Sequence, residues 1–352
     1  MSGKSNIIEK IREKLMLASQ LGQRGVILQP GAIGDCILTL PLAELMKETV
    51  CPGGIDIIGH TEYLGILPGR SCIDGVKSLD SMSLHRLFAS ERDFDIADGD
   101  PMIIEFAGYS WIASFLGEPD SDFEKNLIFT VNCSHSAEVM TLAMKPEEGS
   151  NFHISEFYRA QFINMSGLSP AEKNRAIAMP LIRPTQADIY KGKEVLAENG
   201  IVPGSKPVVI HPGSGGAHKC WNLKNFLFIA GKIQQEGLNT VFLLGPAETE
   251  ILNQTSLNEI RAAGVLLSNL SLTDVLAVLS CSRGFLGNDS GITHLAAAMG
   301  IKTIAVFGPT EPAVYAPIGS AVNILRNETA DFTSAVSKDL QEKAFSLILA
   351  AS

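Results

Sequence analysis

The sequence has no paired cysteines, no excess of positive charge and no long apolar run. Its six cysteines, Cys36, Cys51, Cys72, Cys133, Cys220 and Cys281, include no Cys-x-x-Cys pair. A zinc knuckle or a dithiol redox centre is therefore not expected, and free thiols in a reducing compartment are. Acidic residues outnumber basic ones by 38 to 28, for a net charge of -10. That balance excludes a nucleic-acid partner held by broad phosphate neutralisation, though not a local basic pocket for a phosphorylated ligand. No stretch approaches the roughly 18 apolar residues that a membrane-spanning helix needs. Residues 1–20, MSGKSNIIEKIREKLMLASQ, have the pattern of a mixed-charge amphipathic helix and lack the apolar core of a signal peptide. A cytoplasmic protein is expected.

What is present describes a well-cored globule. Of 352 residues, 45% are hydrophobic and 19% charged, which leaves room for two domains of ordinary size. In the carboxy-terminal half, apolar runs alternate with segments of helical periodicity. PVVIHPG (207–213), NTVFLLG (239–245), GVLLSNL (264–270), GFLGND (284–289) and KTIAVFG (302–308) are predicted strands. Between them, 222–237, 246–260, 271–282 and the segment after Ser290 are predicted helices. Continuous apolar strands alternating with amphipathic helices imply a parallel sheet covered on both faces. The amino-terminal half repeats the theme with RGVILQP (24–30), GIDIIGH (54–60) and MIIEFAG (102–108) as strands, and an apolar helix through Met46. The turn-rich stretch between Met165 and Pro184 is the expected connection. Expected are one domain over 1–175, a second over 176–330, and a helix over 331–352 that packs back on the first domain. Two such sheets would leave a cleft between their strand ends, where ligands bind in α/β folds.

Four motifs could carry chemistry. In QPGAIGDCILTLP (29–41), a strand feeds a glycine turn and Asp35 sits where a helix begins. Asp35 is either an N-cap or a general base held near a ligand that Gly31 and Gly34 allow to approach. The spacing is not the dinucleotide fingerprint Gly-x-Gly-x-x-Gly. In HPGSGGAHKCW (211–221), three glycines precede Lys219 at a strand end, a combination suited to a diphosphate, with an exposed loop lysine as the plainer alternative. His218 is expected at the surface, and Trp221 as a packing anchor. In LLGPAETE (243–250), Glu248 either accepts from ribose hydroxyls or sits in a helix's first turn for the sake of its dipole. In FLGNDSGITHLAAAMG (285–300), Asp289, Ser290 and Gly291 surround a helix N-terminus and His294 follows within a turn. That end offers unpaired N–H donors and a field favourable to anions, and His294 is either a buried, satisfied histidine or a second contact for a phosphate. Asp289 could cap the helix or touch a sugar. The Asp-Gly-Asp at 98–100 has metal-motif spacing but lies in an acidic turn and reads as solvated loop, so no metal is expected.

These motifs occur in the order found in the bacterial lipopolysaccharide heptosyltransferases, glycosyltransferase family 9, which the chain resembles. The resemblance rests on GDCILTLP, HPGSGGAHKCW, GPAETE, LSNLSLTDVLAVLS and NDSGITHLAAAMGIKTIAVFGPTEP, within 24–60 and 207–317. It implies the GT-B fold, with two Rossmann-like parallel-sheet domains facing each other across a cleft. It further implies an inverting, metal-independent and cofactor-free transfer of heptose, or a related sugar, from ADP-heptose to a saccharide or lipid-linked saccharide. Nucleic acid is not among the expected partners, and peripheral contact with the inner face of the inner membrane is. Asp35 would take the proton from the acceptor hydroxyl, and Ser214 and Lys219 would hold the donor phosphates. Glu248 would bind the ribose, Leu270 would line the base pocket and Asp289 would face the donor sugar. Ser290, Gly291 and His294 would contact the phosphates. Two departures stand out. Asn222 replaces a usual proline, and Arg92 is the only basic residue between Glu91 and Glu124, where family members acting on phosphorylated cores present several. The competing classes are a nucleotide-sugar epimerase or hydrolase, and a non-catalytic nucleotide-sugar binding protein.

Overall fold

A computed structural model describes residues 23–327 and 331–350. The helix expected over residues 1–20 lies outside them. The described chain separates into two compact units, with the boundary between Ile177 and Ala178.

The first unit is built on five parallel strands, β1 (Arg24–Gln29), β2 (Gly54–Gly59), β3 (Gly75–Ser78), β4 (Trp111–Ser114) and β5 (Glu138–Thr141), in the order β3-β2-β1-β4-β5. Val26, Ile27 and Leu28 of β1 are fully buried, as a central strand covered on both faces requires. The helices are α1 (Ile33–Leu38), α2 (Leu40–Thr49), α3 (Thr61–Leu64), α4 (Pro101–Phe106), α5 (Asp122–Asn132) and α6 (Ile154–Ser166). One continuous helix was expected through Met46. The chain instead breaks at Thr39, because Pro41 has no N–H to continue the ladder, and Thr39 Oγ1 returns to the Asp35 carbonyl at 2.8 Å.

Two further expectations fail in this unit. Residues 102–108 are not a strand but the body of α4. Asp100 accepts from the Met102 N–H at 3.0 Å, Pro101 opens the helix, and Met102, Ile103 and Phe106 fall on one buried face. The strand that fills this place in the sheet is β4, which pairs with β1 from Gly25↔Trp111 to Leu28↔Ser114. Asp100 is also not solvated loop. Its carboxylate caps α4 and meets Arg86 at 2.7 Å, with 9% of the side chain exposed.

The second unit opens with α7 (Gln186–Glu198) and carries six parallel strands, β6 (Val208–His211), β7 (Thr240–Leu244), β8 (Val265–Ser268), β9 (Gly284–Asn288), β10 (Thr303–Phe307) and β11 (Val322–Arg326), in the order β11-β10-β9-β6-β7-β8. Between and after them run α8 (Leu223–Gln235), α9 (Pro246–Ile251), α10 (Gln254–Ala263), α11 (Leu272–Ser280), α12 (Gly291–Ala298), α13 (Pro312–Tyr315) and α14 (Lys338–Leu349). The helix expected over 246–260 is two, because Asn253 stops the first and caps the second by accepting from Ser256 N–H at 2.9 Å. The closing helix α14, expected on the first domain, packs on its own unit. Ala344 and Ile348 join the core beneath β9 and β10, and Gly284 leaves the space that the Ile348 methyl occupies. The strand order turns back between β6 and β9, since β6 leads outward to β7 and β9 leads the other way to β10. Loops leaving the carboxyl ends of two such strands diverge, and the crevice between them is where doubly wound sheets bind ligands. In the first unit β1 and β4 stand in the same relation, and Asp35 follows β1.

Candidate active site

The site of the second unit is assembled around the end of β9. Ser290, in extended conformation (φ -153, ψ 159), is the N-cap of α12, and its Oγ accepts from Thr293 N–H at 3.3 Å. The question of which polar residue caps this helix is thus answered by Ser290, and Asp289 is left for other partners. Its carboxylate receives Lys219 Nζ at 2.9 Å on one oxygen and lies 3.7 Å from His294 Nε2 on the other. The second distance is an electrostatic contact rather than a hydrogen bond. Burial would push the Asp289 carboxyl upward, but the His294 imidazole and the Lys219 ammonium outweigh it and hold it at about 2. The group is therefore an anion at neutral pH. His294 is itself buried, and its Nδ1 has no hydrogen-bond partner among the described residues. A buried nitrogen without a partner beside a helix N-terminus calls for an explanation.

Lys219 reaches Asp289 from a loop that begins at β6. Ser214 Oγ donates to the Asp289 carbonyl at 2.6 Å, so both residues expected on the donor phosphates converge on one aspartate. Trp221, 1% exposed, closes the loop and stacks edge-on against Phe226 at 5.4 Å between ring centroids. His218 is exposed. His211, at the end of β6, is buried with Nδ1 at 3.3 Å from Ser290 Oγ. Burial lowers its pKa, and the nearby Glu248 carboxylate opposes that shift.

Glu248 occupies the first turn of α9. One carboxylate oxygen accepts from Gly245 N–H at 2.8 Å, and the other would lie 2.0 Å from a Cβ placed on Gly213. Gly213 is glycine because the carboxylate fills the place of its side chain. Leu270 is half-buried in the turn after β8, next to Asn269, which adopts the left-handed region (φ 56) and donates its N–H to the Leu244 carbonyl at 3.0 Å. Glu248 and Leu270 thus follow the neighbouring strands β7 and β8, while Ser214, Lys219, Asp289, Ser290, Gly291 and His294 cluster at β6 and β9.

Asp35 belongs to the first unit. It is the third residue of α1, not its N-cap, and its carboxylate accepts from Ala32 N–H at 3.0 Å while remaining half-exposed. The turn before it is shaped by Gln29, fully buried, which accepts from Gly31 N–H at 2.9 Å and donates to Thr39 Oγ1 at 2.7 Å. A Cβ on Gly31 would fall 2.6 Å from that of Asp35. Four residues that organise these sites escaped the sequence reading: Gln29, His211, Asn288 and Thr293.

Among the described residues no group of three or more His, Cys, Asp or Glu side chains could hold a metal ion. No described helix is long and apolar enough to cross a membrane. A concavity of about 640 Å³ lies at the opposite, amino ends of the second unit's strands, lined by Lys206, Arg283 and Lys302. Those cations stand near the glycines that end α8 and α12, where positive charge complements the helix dipoles, and the concavity takes no part in the site.

The family model for glycosyltransferase family 9 (heptosyltransferase) matches residues 175–344. Residues 175–344, the second unit with its lead-in, are thus similar to glycosyltransferase family 9. The match takes in every candidate residue of the second unit and leaves Asp35 outside it. Lipopolysaccharide heptosyltransferase 3 of Escherichia coli is 21% identical over 333 residues, covering 88% of this chain and 90% of that one. The crystal structure of a family 9 glycosyl transferase from Veillonella parvula superposes with a TM-score of 0.69 at 15% identity, covering 94% of this chain and 98% of that one. The E. coli heptosyltransferase WaaC, solved with ADP, gives 0.62 at 18% identity over 92% of this chain and 100% of that one. These likenesses establish the two-sheet GT-B architecture, and with the family match they make the protein a heptosyltransferase-like glycosyltransferase.

Proposed function

We propose that the protein transfers heptose, or a related sugar, from ADP-heptose to a saccharide of a lipopolysaccharide core or another saccharide acceptor, with inversion and without a bound metal. The observation that carries the reading is the Asp289 cluster. At one helix N-terminus it gathers a lysine, a serine and a buried histidine nitrogen with no partner. A heptosyltransferase of the same fold crystallised with ADP supports a nucleoside diphosphate as the group bound there.

In this reading the donor diphosphate enters at Ser290 and Gly291, where the first-turn amides of α12 have no intrahelical acceptor. Lys219 exchanges the Asp289 carboxylate for a phosphate oxygen, and His294 Nδ1 gains the partner it lacks. Asp289 is then a free anion beside the donor sugar, where it favours positive charge developing at the anomeric carbon. Glu248 takes the ribose hydroxyls, and Leu270 lines the base. The acceptor oxygen bonds to the anomeric carbon as the bond to the phosphate oxygen breaks, its proton passes to Asp35, and the diphosphate leaves with the electron pair. Lys219 and the helix field offset the charge that appears on it. The reading places the protein in the cytoplasm, in peripheral contact with the inner membrane where a lipid-linked acceptor is carried.

The test is acceptor-dependent release of ADP from ADP-heptose by the purified protein. Release that requires acceptor and is abolished in Asp35→Asn supports transfer. Release without acceptor would indicate a hydrolase. Binding of ADP-heptose with no turnover under any acceptor would leave a binding protein and defeat the proposal.

A further inference from the structure

Asn288 ends β9 with its side chain fully buried, and every bond of its amide is to the segment that follows β6. Nδ2 donates to the Pro212 carbonyl at 2.7 Å and leans toward that of Gly213 at 3.4 Å, and Oδ1 accepts from Trp221 N–H at 2.9 Å. Those partners bracket residues 214–220, the stretch that carries Ser214 and Lys219. The next residue, Asp289, holds the same stretch from the inside through Ser214 Oγ and Lys219 Nζ. The two sets of contacts differ in kind. When a diphosphate takes Lys219 from Asp289, the side-chain contact must break, whereas nothing requires the Asn288 bonds to change.

Only an amide meets this arrangement, because it must donate to carbonyls on one side and accept from an N–H on the other. A carboxylate would face the Pro212 carbonyl with a lone pair, and an apolar residue would leave three buried backbone groups without partners. Trp221 is also held by packing against Phe226 in the core. The far end of the loop therefore has a second anchor that is independent of Asn288.

We propose that Asn288 is a positioning residue for the donor site: it closes the 214–220 loop at both ends so that Lys219 is already within reach of the diphosphate before it binds. The proposal rests on the reading of this cluster as the diphosphate site. Its energetic content is the conformational freedom that the loop would otherwise lose on binding.

A double-mutant cycle tests it, with ADP dissociation constants measured by titration calorimetry on the whole protein. Asn288→Ser should weaken ADP binding about tenfold where Lys219 is present. In the Lys219→Met background the same substitution should cost less than about twofold, since the group it positions is gone. Donor KM should rise more than kcat falls. Equal losses in both backgrounds, or no loss in either, would overturn the proposal while leaving the site's identity intact. Failure of the unsubstituted protein to bind ADP would overturn the diphosphate reading beneath it. Asn288→Asp gives a second route should the serine variant not fold. Only its protonated carboxyl can both accept from Trp221 N–H and donate to the Pro212 carbonyl. Its ADP affinity, taken relative to the unsubstituted protein at each pH, should improve as the pH falls, and a ratio independent of pH would count against positioning.

Discussion

The two units build their candidate residues at equivalent places, after a central strand where the strand order turns back, yet they equip those places differently. Beyond β1 there is one half-exposed carboxylate, Asp35, bonded to the Ala32 N–H. Beyond β6 and β9 a buried aspartate is cross-linked to a lysine and a serine and lies against a histidine, with an asparagine clamping the loop that supplies the first two. Four of the first unit's cations are paired with carboxylates of their own unit. Arg24 meets Asp56, Lys47 meets Asp74, Lys77 meets Glu105 and Arg86 meets Asp100, each at 2.7 or 2.8 Å. On the proposed reading a diphosphate brings charge that must be met on arrival, and the Asp289 carboxylate serves as the substitute anion that keeps Lys219 in place. A hydroxyl group carries none and needs only a base that it can reach. The contrast in construction therefore matches a division of labour between binding and proton transfer.

The contrast breaks first, if it breaks, at the two charged residues. Asp35→Asn should lower kcat by about a thousandfold, the scale of a lost general base, while the calorimetric affinity for ADP stays within about twofold. A parallel loss of ADP affinity would show that the first unit also binds the donor. Lys219→Ala is the mirror case. It should weaken ADP about thirtyfold to a hundredfold, the cost of losing a charge-assisted contact to phosphate, with kcat at saturating donor falling as well because the departing charge is less well met. An effect confined to kcat would mean that Lys219 never leaves Asp289 in the ground state.

The readability of these two regions from sequence differed for physical reasons. The second unit's strands are continuous apolar runs and its helices have clear faces, so β6 to β10 and the helices α8, α11 and α12 were legible from periodicity. MIIEFAG was not, because a short apolar run suits a strand and a buried helix equally. The deciding signal was the Asp100–Pro101 pair before it, a cap followed by a residue preorganised for the first turn. β4 escaped because it spans only four residues, Trp111–Ser114. At the site, glycine, lysine and histidine announced themselves by type and by position at strand ends. Asn288 and His211 did not, since their meaning lies in contacts with residues 67 to 79 positions away. An asparagine at a strand end resembles any other cap until the loop it holds is in view.

Acid should act on the second site in two stages, each with its own sign. His211 is buried and its pKa is lowered, so the unfolded chain takes up a proton before the folded one does. Stability is lost from this source as the pH falls below about 6.5. Asp289 is held at about 2 against an ordinary value of 3.8. Its contribution is complete above pH 4 and lost as the pH falls from there toward 2, on the order of 2 kcal/mol for a shift of that size. Denaturant unfolding at a series of pH values should show both losses. Asp289→Asn should remove the acid step below pH 4 and leave the earlier one. A variant that kept the full slope below pH 4 would show that other carboxylates carry it.

The smallest expected effects come from a matched pair of glycines, one in each unit. On Gly31 a Cβ would come 2.6 Å from that of Asp35, and on Gly213 it would come 2.0 Å from a Glu248 carboxylate oxygen. Both are too close to be accommodated without movement: at Gly213 the obstacle is the end of a flexible side chain, able to give way at a cost of about 1–3 kcal/mol, whereas at Gly31 it is the Asp35 Cβ, which moves only with the backbone of α1. The direction of movement separates the two. Gly31→Ala displaces the candidate base and should lower kcat several-fold with ADP affinity unchanged. Gly213→Ala displaces the candidate ribose contact and should weaken ADP several-fold, with kcat at saturating donor nearly unchanged. Adenine alone, which lacks the ribose, should bind Gly213→Ala and the unsubstituted protein equally. If Gly213→Ala weakened adenine as much as ADP, Glu248 would be no more than the first-turn cap of α9, and the binding half of the comparison would rest on the Asp289 cluster alone.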